Sequence, residues 1–309
     1  MAEREALERV SREHPCAVCG SDTWCLRLKK FHLCMRVESS YPAPNGAGWL
    51  HPRDGVPNDV YIPPPKPKVS NEELAQKFSP LAKKFADCGL DRIRGLALDL
   101  RLNAGVLNSL GVGYDENDGS WTFPERTANG LVVGIVRRLA VVKDGHSKLC
   151  IRGSRRGLSY CDGWNKSSGP IFIVEGPTDC AAGIGMELAI LGRPSNTGGI
   201  AMLTDMLQSH KNRRVIIVGE NDKKDLLAVQ QSNARHNLDC NGCLCCFPGL
   251  AGAKQTARSL AKRLGRSIDV VMPGTAKDLR AWFIATGVNP NDVQACRELG
   301  WKVKRGKWD

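Results

Sequence analysis

The chain has 309 residues, with 44 Lys and Arg against 32 Asp and Glu, a formal net charge of +12 that favours nucleic-acid or nucleotide partners. No apolar run reaches membrane length and no signal peptide is read at the start, so no membrane partner is expected and the expected compartment is reducing and cytoplasmic. There the 13 cysteines, eight of them in two tight groups, read as metal ligands rather than disulfides.

Residues 13–52 read as a small ribbon. Cys16, Cys19, Cys25 and Cys34 are spaced C-x2-C-x5-C-x8-C, and Gly20 permits the tight turn that aims the first two sulfurs inward. Four thiolates at about 2.3 Å from Zn²⁺ close a tetrahedral structural site and leave no open position for catalysis. His14 and His32 are nearby rivals for one position. Trp24, Phe31 and Trp49, with Leu26 and Leu28, supply what core so small a module has. The first domain is therefore 1–54. Residues 55–70, containing Ile62-Pro-Pro-Pro-Lys-Pro-Lys68, form an extended proline-rich linker.

From Asn71 to about Leu110 the pattern is helical, and Ser109-Leu-Gly111 ends it. Short strands follow at 121–124, 131–136 and 148–151, so 71–167 reads as one mixed helical and strand-rich subdomain. Its last part is strongly basic. Between 136 and 167 stand Arg137, Arg138, Lys143, Lys148, Arg152, Arg155, Arg156 and Lys166 against only Asp144 and Asp162. Lys148, Arg152, Arg155 and Arg156 are the candidates for holding phosphates, with Gly153 and Gly157 allowing close backbone approach. A solvated basic loop is the plain alternative.

Residues 168–290 alternate strand and helix with short links, the signature of a right-handed parallel α/β unit. Ile171-Phe-Ile-Val174 and Val215-Ile-Ile-Val218 are apolar enough to be buried on both faces. The first ends at Glu175-Gly-Pro-Thr-Asp179, where Thr178 can cap a helix, and the second runs into Glu220-Asn-Asp222. A strand at 188–191, a helix at 200–208, an amphipathic helix at 252–264 and a strand at 268–272 complete the unit. Chemistry in open α/β sheets collects beyond the carboxyl ends of the strands. Acids gathered there need a counter-charge, and Mg²⁺ or Mn²⁺ is the usual one. The span 223–248 interrupts the unit with His236, Cys240, Cys243 and Cys246 spaced H-x3-C-x2-C-x2-C, a second candidate zinc site that leaves Cys245 spare. An incidental cysteine-rich loop is its alternative. Cys88, Cys150, Cys161, Cys180 and Cys296 lack ligand spacing. Residues 291–309 read as a basic tail, frayed or stacking single strands through Trp301 and Trp308.

The succession strand-EGxxD, strand-acid-x-Asp, Gly-Ala-rich helix and late Lys277-Asp278 resembles the Toprim domain of topoisomerases and primases. With a zinc ribbon, a helical segment, "WTFPER…GLVVGIVRR" and "KLCIRGSRRGL" ahead of it, residues 14–286 are similar to the bacterial-type DNA primase, most of all to the small versions of phages and mobile elements. The resemblance implies a multidomain α+β and α/β fold: a zinc ribbon, a mixed subdomain, then a parallel Toprim sheet with a zinc-binding insertion. It implies a nucleotidyltransferase that makes short RNA primers for DNA replication on single-stranded DNA from ribonucleoside triphosphates. Glu175 would be the acid/base, Glu220 and Asp222 the metal pair, Asp278 a further ligand, and Asp179 and Lys277 part of the same site. Two positions depart from the family pattern: Glu220 stands where Asp is usual, and Arg280 where primases often carry an acid. No G-x-x-x-x-G-K-[ST] motif is present, so any helicase would be a separate partner.

Three other readings compete: a Toprim nuclease, a topoisomerase-like enzyme, and a non-catalytic zinc-dependent DNA-binding protein. None of the four tyrosines sits in a setting that marks a nucleophile.

Overall fold

A computed structural model gives the fold and describes residues 8–22, 24–43, 48–53, 69–87, 90–143, 146–225, 227 and 246–308. The chain divides into two compact units, Met1–Val69 and Ser70–Asp309. Among the described residues no helix is long and apolar enough to cross a membrane.

The first unit is a four-stranded antiparallel sheet in sequence order: β1 (Glu8–Arg9), β2 (Leu26–Arg27), β3 (Phe31–Cys34) and β4 (Trp49–Pro52). Its buried cluster is Val10, Cys16, Cys25 and Cys34, with Val18 and Cys19 packed against it. So few apolar side chains cannot hold a fold by burial alone, and cross-linking through a metal is how such modules close.

In the second unit, α1 (Asn71–Ala86) begins with a complete capping box. Ser70 Oγ accepts from Glu73 N at 3.0 Å, and Ser70 N donates to Glu73 Oε2 at 2.7 Å. Helices α2 (Leu90–Leu100) and α3 (Ala104–Ser109) follow. An antiparallel meander comes next, in the order β5 (Gly113–Asp115), β6 (Ser120–Arg126), β7 (Val132–Lys143), β8 (His146–Cys150). Leu74, Phe78 and Phe85 of α1 pack on Val133 and Ile135 of β7.

The parallel sheet follows: β9 (Ile171–Glu175), α4 (Gly176–Gly185), β10 (Ala189–Arg193), α5 (Ile200–Leu207), β11 (Val215–Val218), α6 (Pro248–Leu264) and β12 (Asp269–Val271). Its strand order is β10-β9-β11-β12, all parallel. Residues 171–174 and 215–218 are fully buried, as apolar runs covered on both faces must be. Thr178 does not cap α4. Glu175 is the N-cap, without a side-chain cap bond, and Pro177 sits in the first turn, so Thr178 already lies inside the helix.

The C-terminal residues are not a frayed tail. After α7 (Leu279–Ala285), α8 (Val293–Lys304) buries Cys296, Leu299 and Val303 in the same core as Phe172, Val174 and Trp282. Trp308 stacks edge-on to Trp282 with ring centres 5.2 Å apart, and Trp282 Nε1 donates to the Trp308 carbonyl at 2.9 Å. The missed signal was Asp292, which caps α8 by accepting from Ala295 N at 2.9 Å. Trp301 is the aromatic that stays exposed, under the guanidinium of Arg305.

Candidate active site and metal sites

The chain leaves β9 for β10 on one side, then crosses to β11 on the other. The order therefore reverses beside β9, and the crevice beyond the carboxyl ends of β9 and β11 is where such sheets bind ligands. Glu175 is the last residue of β9, and Glu220 follows β11 by one glycine.

Each acid is held differently. Glu175 pairs across the sheet with Arg193, the last residue of β10, and Arg193 Nη2 lies 3.8 Å from Glu175 Oε2. Arg193 is wholly buried and donates through Nη1 to Thr256 Oγ1 at 2.9 Å and to the Asn196 carbonyl. Burial raises Glu175 above the usual carboxylate value, while Arg193 pulls the other way. Asp179, one turn along α4, is buried and accepts from Arg280 N at 3.3 Å. Burial first, then Asp278 and Glu220, push its carboxyl well up.

Glu220 is raised to about 7 by burial and by the neighbouring Glu175, Asp278 and Asp222, with Lys277 opposing. Asp222 Oδ1 accepts from Gly249 N at 2.6 Å at the start of α6. A Cβ on Gly249 would meet that same oxygen at 2.6 Å, so glycine is required there. Asn221, between the two acids, donates through Nδ2 to the carbonyls of Gly274 (2.9 Å) and Ala276 (2.7 Å). Its own N–H donates to the Lys277 carbonyl at 2.7 Å. These three bonds fix the loop that delivers Lys277 and Asp278. Asp278 then caps α7, accepting from Ala281 N at 2.7 Å. Arg280 turns away from the role of an acid and donates to the Leu100 carbonyl at 3.2 Å, tying α7 to α2.

A cleft of about 450 Å³ joins this wall to the antiparallel sheet. Glu175, Asp179, Glu220, Lys277, Asp278 and Arg280 line one side, and Arg138, Lys148 and Arg156 the other. Of the four predicted phosphate-binding cations, Lys148 and Arg156 reach the cleft, whereas Arg152 and Arg155 are exposed and do not line it. Lys77 Nζ donates to the Arg152 carbonyl at 3.1 Å, and Arg155 Nη1 donates to Asn71 Oδ1 at 2.5 Å. Arg156 is anchored rather than free. It forks onto the buried Glu125 with two bonds of 2.8 Å and also reaches the Pro194 carbonyl. Arg138 joins the group because it stands directly opposite Lys148 in the β7–β8 register. Of the tyrosines, Tyr160 donates its hydroxyl to the Thr127 carbonyl at 2.6 Å.

Among the described residues, only Cys16, Cys19, Cys25 and Cys34 bring ligand atoms of three or more such side chains within 4.8 Å of one another. Neither His14 nor His32 belongs to that group. Backbone N–H groups of Met35 and Val37 point at Cys25 Sγ (3.5 Å) and Cys34 Sγ (3.3 Å). Burial raises the Cys19 thiol, but hydrogen bonds from Ser21 and the other cysteines outweigh it and bring it to about 7. Burial drives Cys25 up to about 12. Four soft sulfurs so placed fit Zn²⁺. The acids of the cleft form no preformed cage. Their donor chemistry suits Mg²⁺, which keeps several waters and is held by one or two carboxylates together with substrate phosphates.

In the second cysteine group, His236, Cys240 and Cys243 lie outside the described residues. Cys246 is buried, and Lys224 N donates to its carbonyl at 2.8 Å, closing the stem of the 223–248 span.

The raised Glu220 has a measurable consequence. Its folded value of about 7 exceeds the ordinary 4.5, so the folded chain holds a proton that the unfolded chain releases. This stabilisation is full below the ordinary value and is lost as pH rises through the folded one. Without added Mg²⁺ or Mn²⁺, the melting temperature should fall from roughly pH 5 to pH 8, and Glu220→Gln should flatten that fall in a thermal melt.

No protein-family model matches the chain, and no curated protein matches it. Solved structures do. The zinc-binding and RNA polymerase domains of Aquifex aeolicus primase align over 78% of this chain at 12% identity and TM-score 0.46. This chain spans 62% of that one. The RNA polymerase domain of Mycobacterium tuberculosis primase DnaG aligns over 75% of this chain and 84% of its own, at 14% identity and TM-score 0.48. The E. coli primase catalytic core aligns over 73% and 80%, at 15% identity and TM-score 0.46. The solved structures that this chain resembles are thus bacterial primase zinc-binding and RNA polymerase domains.

Proposed function

We propose that the chain is a DNA primase that joins ribonucleotides on a single-stranded DNA template. The observation that carries this reading is the cleft itself: carboxylates at the switch point of a parallel sheet face cations of an antiparallel sheet. Such a pairing of walls suits a triphosphate, whose phosphates need cations and whose reacting end needs a divalent ion. Glu220, Asp222 and Asp278 would hold Mg²⁺ or Mn²⁺, which supplies charge neutralisation at the transferring phosphoryl group and its leaving pyrophosphate.

The chain's own residues do the rest. Glu175, which burial raises and Arg193 backs, is our candidate to accept the 3′-hydroxyl proton as the new bond forms. Lys148, Arg138 and Lys277 hold the phosphates, while Arg156, fixed by Glu125, presents a rigid positive edge. Asp179, with its raised carboxyl, positions α7 rather than binding a metal. The ribbon contributes template recognition, and the 223–248 span a second zinc through His236, Cys240, Cys243 and Cys246.

The decisive experiment offers bare single-stranded DNA and labelled ribonucleoside triphosphates with Mg²⁺ or Mn²⁺. Complementary labelled oligomers are the expected product. Shortened DNA without oligomers would assign the acids to a nuclease, and DNA retention without either would leave only a binding protein.

Metal analysis of the purified protein should return close to two zinc ions per chain, one per cysteine group. A ratio near one would withdraw the second site. Cys240→Ser with Cys243→Ser should lose one zinc and leave the parallel sheet folded by circular dichroism.

A further inference from the structure

The charge on α6 is distributed unlike that on any other long helix of the second unit. Between residues 246 and 267 there are five cations and no Asp or Glu. Helices α1, α2 and α8 all carry acids as well as bases. Gly252, Ala253, Thr256, Ala257 and Leu260 turn inward and are buried. Lys254, Arg258 and Lys262 therefore form a row on the opposite face, one every four residues, about 6 Å apart along the axis. All three are exposed, and none has an ion pair or side-chain hydrogen bond among the described residues. A surface helix kept for solubility alone gains from mixed signs at this spacing, and like charges four apart repel.

The placement of the row is as informative as its charge. The first turn of α6 meets the acidic loop that follows β11, where Gly249 N donates to Asp222, two residues beyond the cleft residue Glu220. The last turn reaches a depression of about 500 Å³ that Lys211 and Arg263 help to line, next to the residues that lead into β11. The helix thus runs from the carboxyl end of the sheet to its amino end with cations along its outer face.

We propose that this face is a second track for single-stranded nucleic acid, leading the phosphodiester backbone of the template away from the cleft. The row is one charge wide, which follows one strand. No aromatic side chain stands in it, so it reads backbone and not bases. The inference rests on the polymerase reading only for what the strand is; the binding surface itself is independent of catalysis.

The test is the triple variant Lys254→Gln/Arg258→Gln/Lys262→Gln in the full chain, beside its Glu counterpart. Zinc content and melting temperature show that each remains folded. Binding of labelled oligothymidylate, about 40 or about 8 nucleotides long, is followed by anisotropy across salt. Three lost phosphate contacts on a single strand should lower the slope of log K against log salt by about 2 for the long oligomer. The short one, which fills only the cleft, should bind unchanged. An unchanged slope for the long oligomer would overturn the track, including in favour of an acidic protein partner on this face. Equal losses for both lengths would overturn it too, because they report a diffuse field. Synthesis on a short template reports the polymerase reading separately.

Discussion

Glu175→Gln should lower ribonucleotide synthesis by about 10²- to 10⁴-fold, the range a positioned acid or base contributes. Asp222→Asn, which takes a carboxylate from the divalent ion, should lower it by at least about 10²-fold, while DNA binding stays near the wild-type level in both. Both variants keep the shape of the side chain. Asn at 222 still offers an oxygen to Gly249 N, so the start of α6 remains held. Gln at 175 removes one of the like charges that raise Glu220, which offsets the weaker contact with buried Arg193. Melting temperatures should therefore move by no more than about 4 °C, the equivalent of ~1 kcal/mol in a unit of this size. Glu220→Asp should stay active with a changed rate or metal preference, because it keeps the charge and shortens the reach by one methylene. Products formed at the wild-type rate by Glu175→Gln and Asp222→Asn would remove this cleft as the active site.

The sequence made the acids legible for a physical reason. A parallel strand covered on both faces must be a continuous apolar run, so 171–174 and 215–218 announce themselves, and whatever follows lies at the carboxyl edge. The thiol group was legible because ligand spacing is local. Orientation is not local, and a basic segment alone does not say which of its cations line the cleft. Arg152 and Arg155 share a basic segment with Lys148 and Arg156, yet only the latter two face the acids. Arg138 could have been found from alternation along β7, which puts it on the face of Val136, another cleft residue. Arg193 gave no such signal, since an arginine at a strand end reads as surface, and only the cross-strand register sets it behind Glu175. Asn221 was visible but had no role until its bonds to the 274–277 loop were seen. The basic residues of α8 masked an amphipathic helix whose buried positions, 296, 299 and 303, are three and four apart.

Removing the first unit should separate starting a primer from lengthening one. The two units are compact on their own, and the proline-rich stretch joins them. A fragment of residues 69–309 retains every described residue of the cleft, the antiparallel sheet and α6. It should begin at 69 because Ser70 and Glu73 form the capping box of α1, and loss of such a cap costs about 1 kcal/mol. Extension of a preformed primer needs only the cleft and should fall less than about tenfold. Initiation has no primer to hold the template, so it relies on a second site on the same chain. Linked sites raise occupancy by about 10² to 10⁴ without any new contact, and initiation should fall by that factor. Adding the ribbon back as a separate chain should restore it only at high concentration, since the link and not a new contact is what was lost. A fragment that starts primers as well as the full chain would place template recognition elsewhere, and the cationic face of α6 with the adjoining 223–248 span would be the region to examine next.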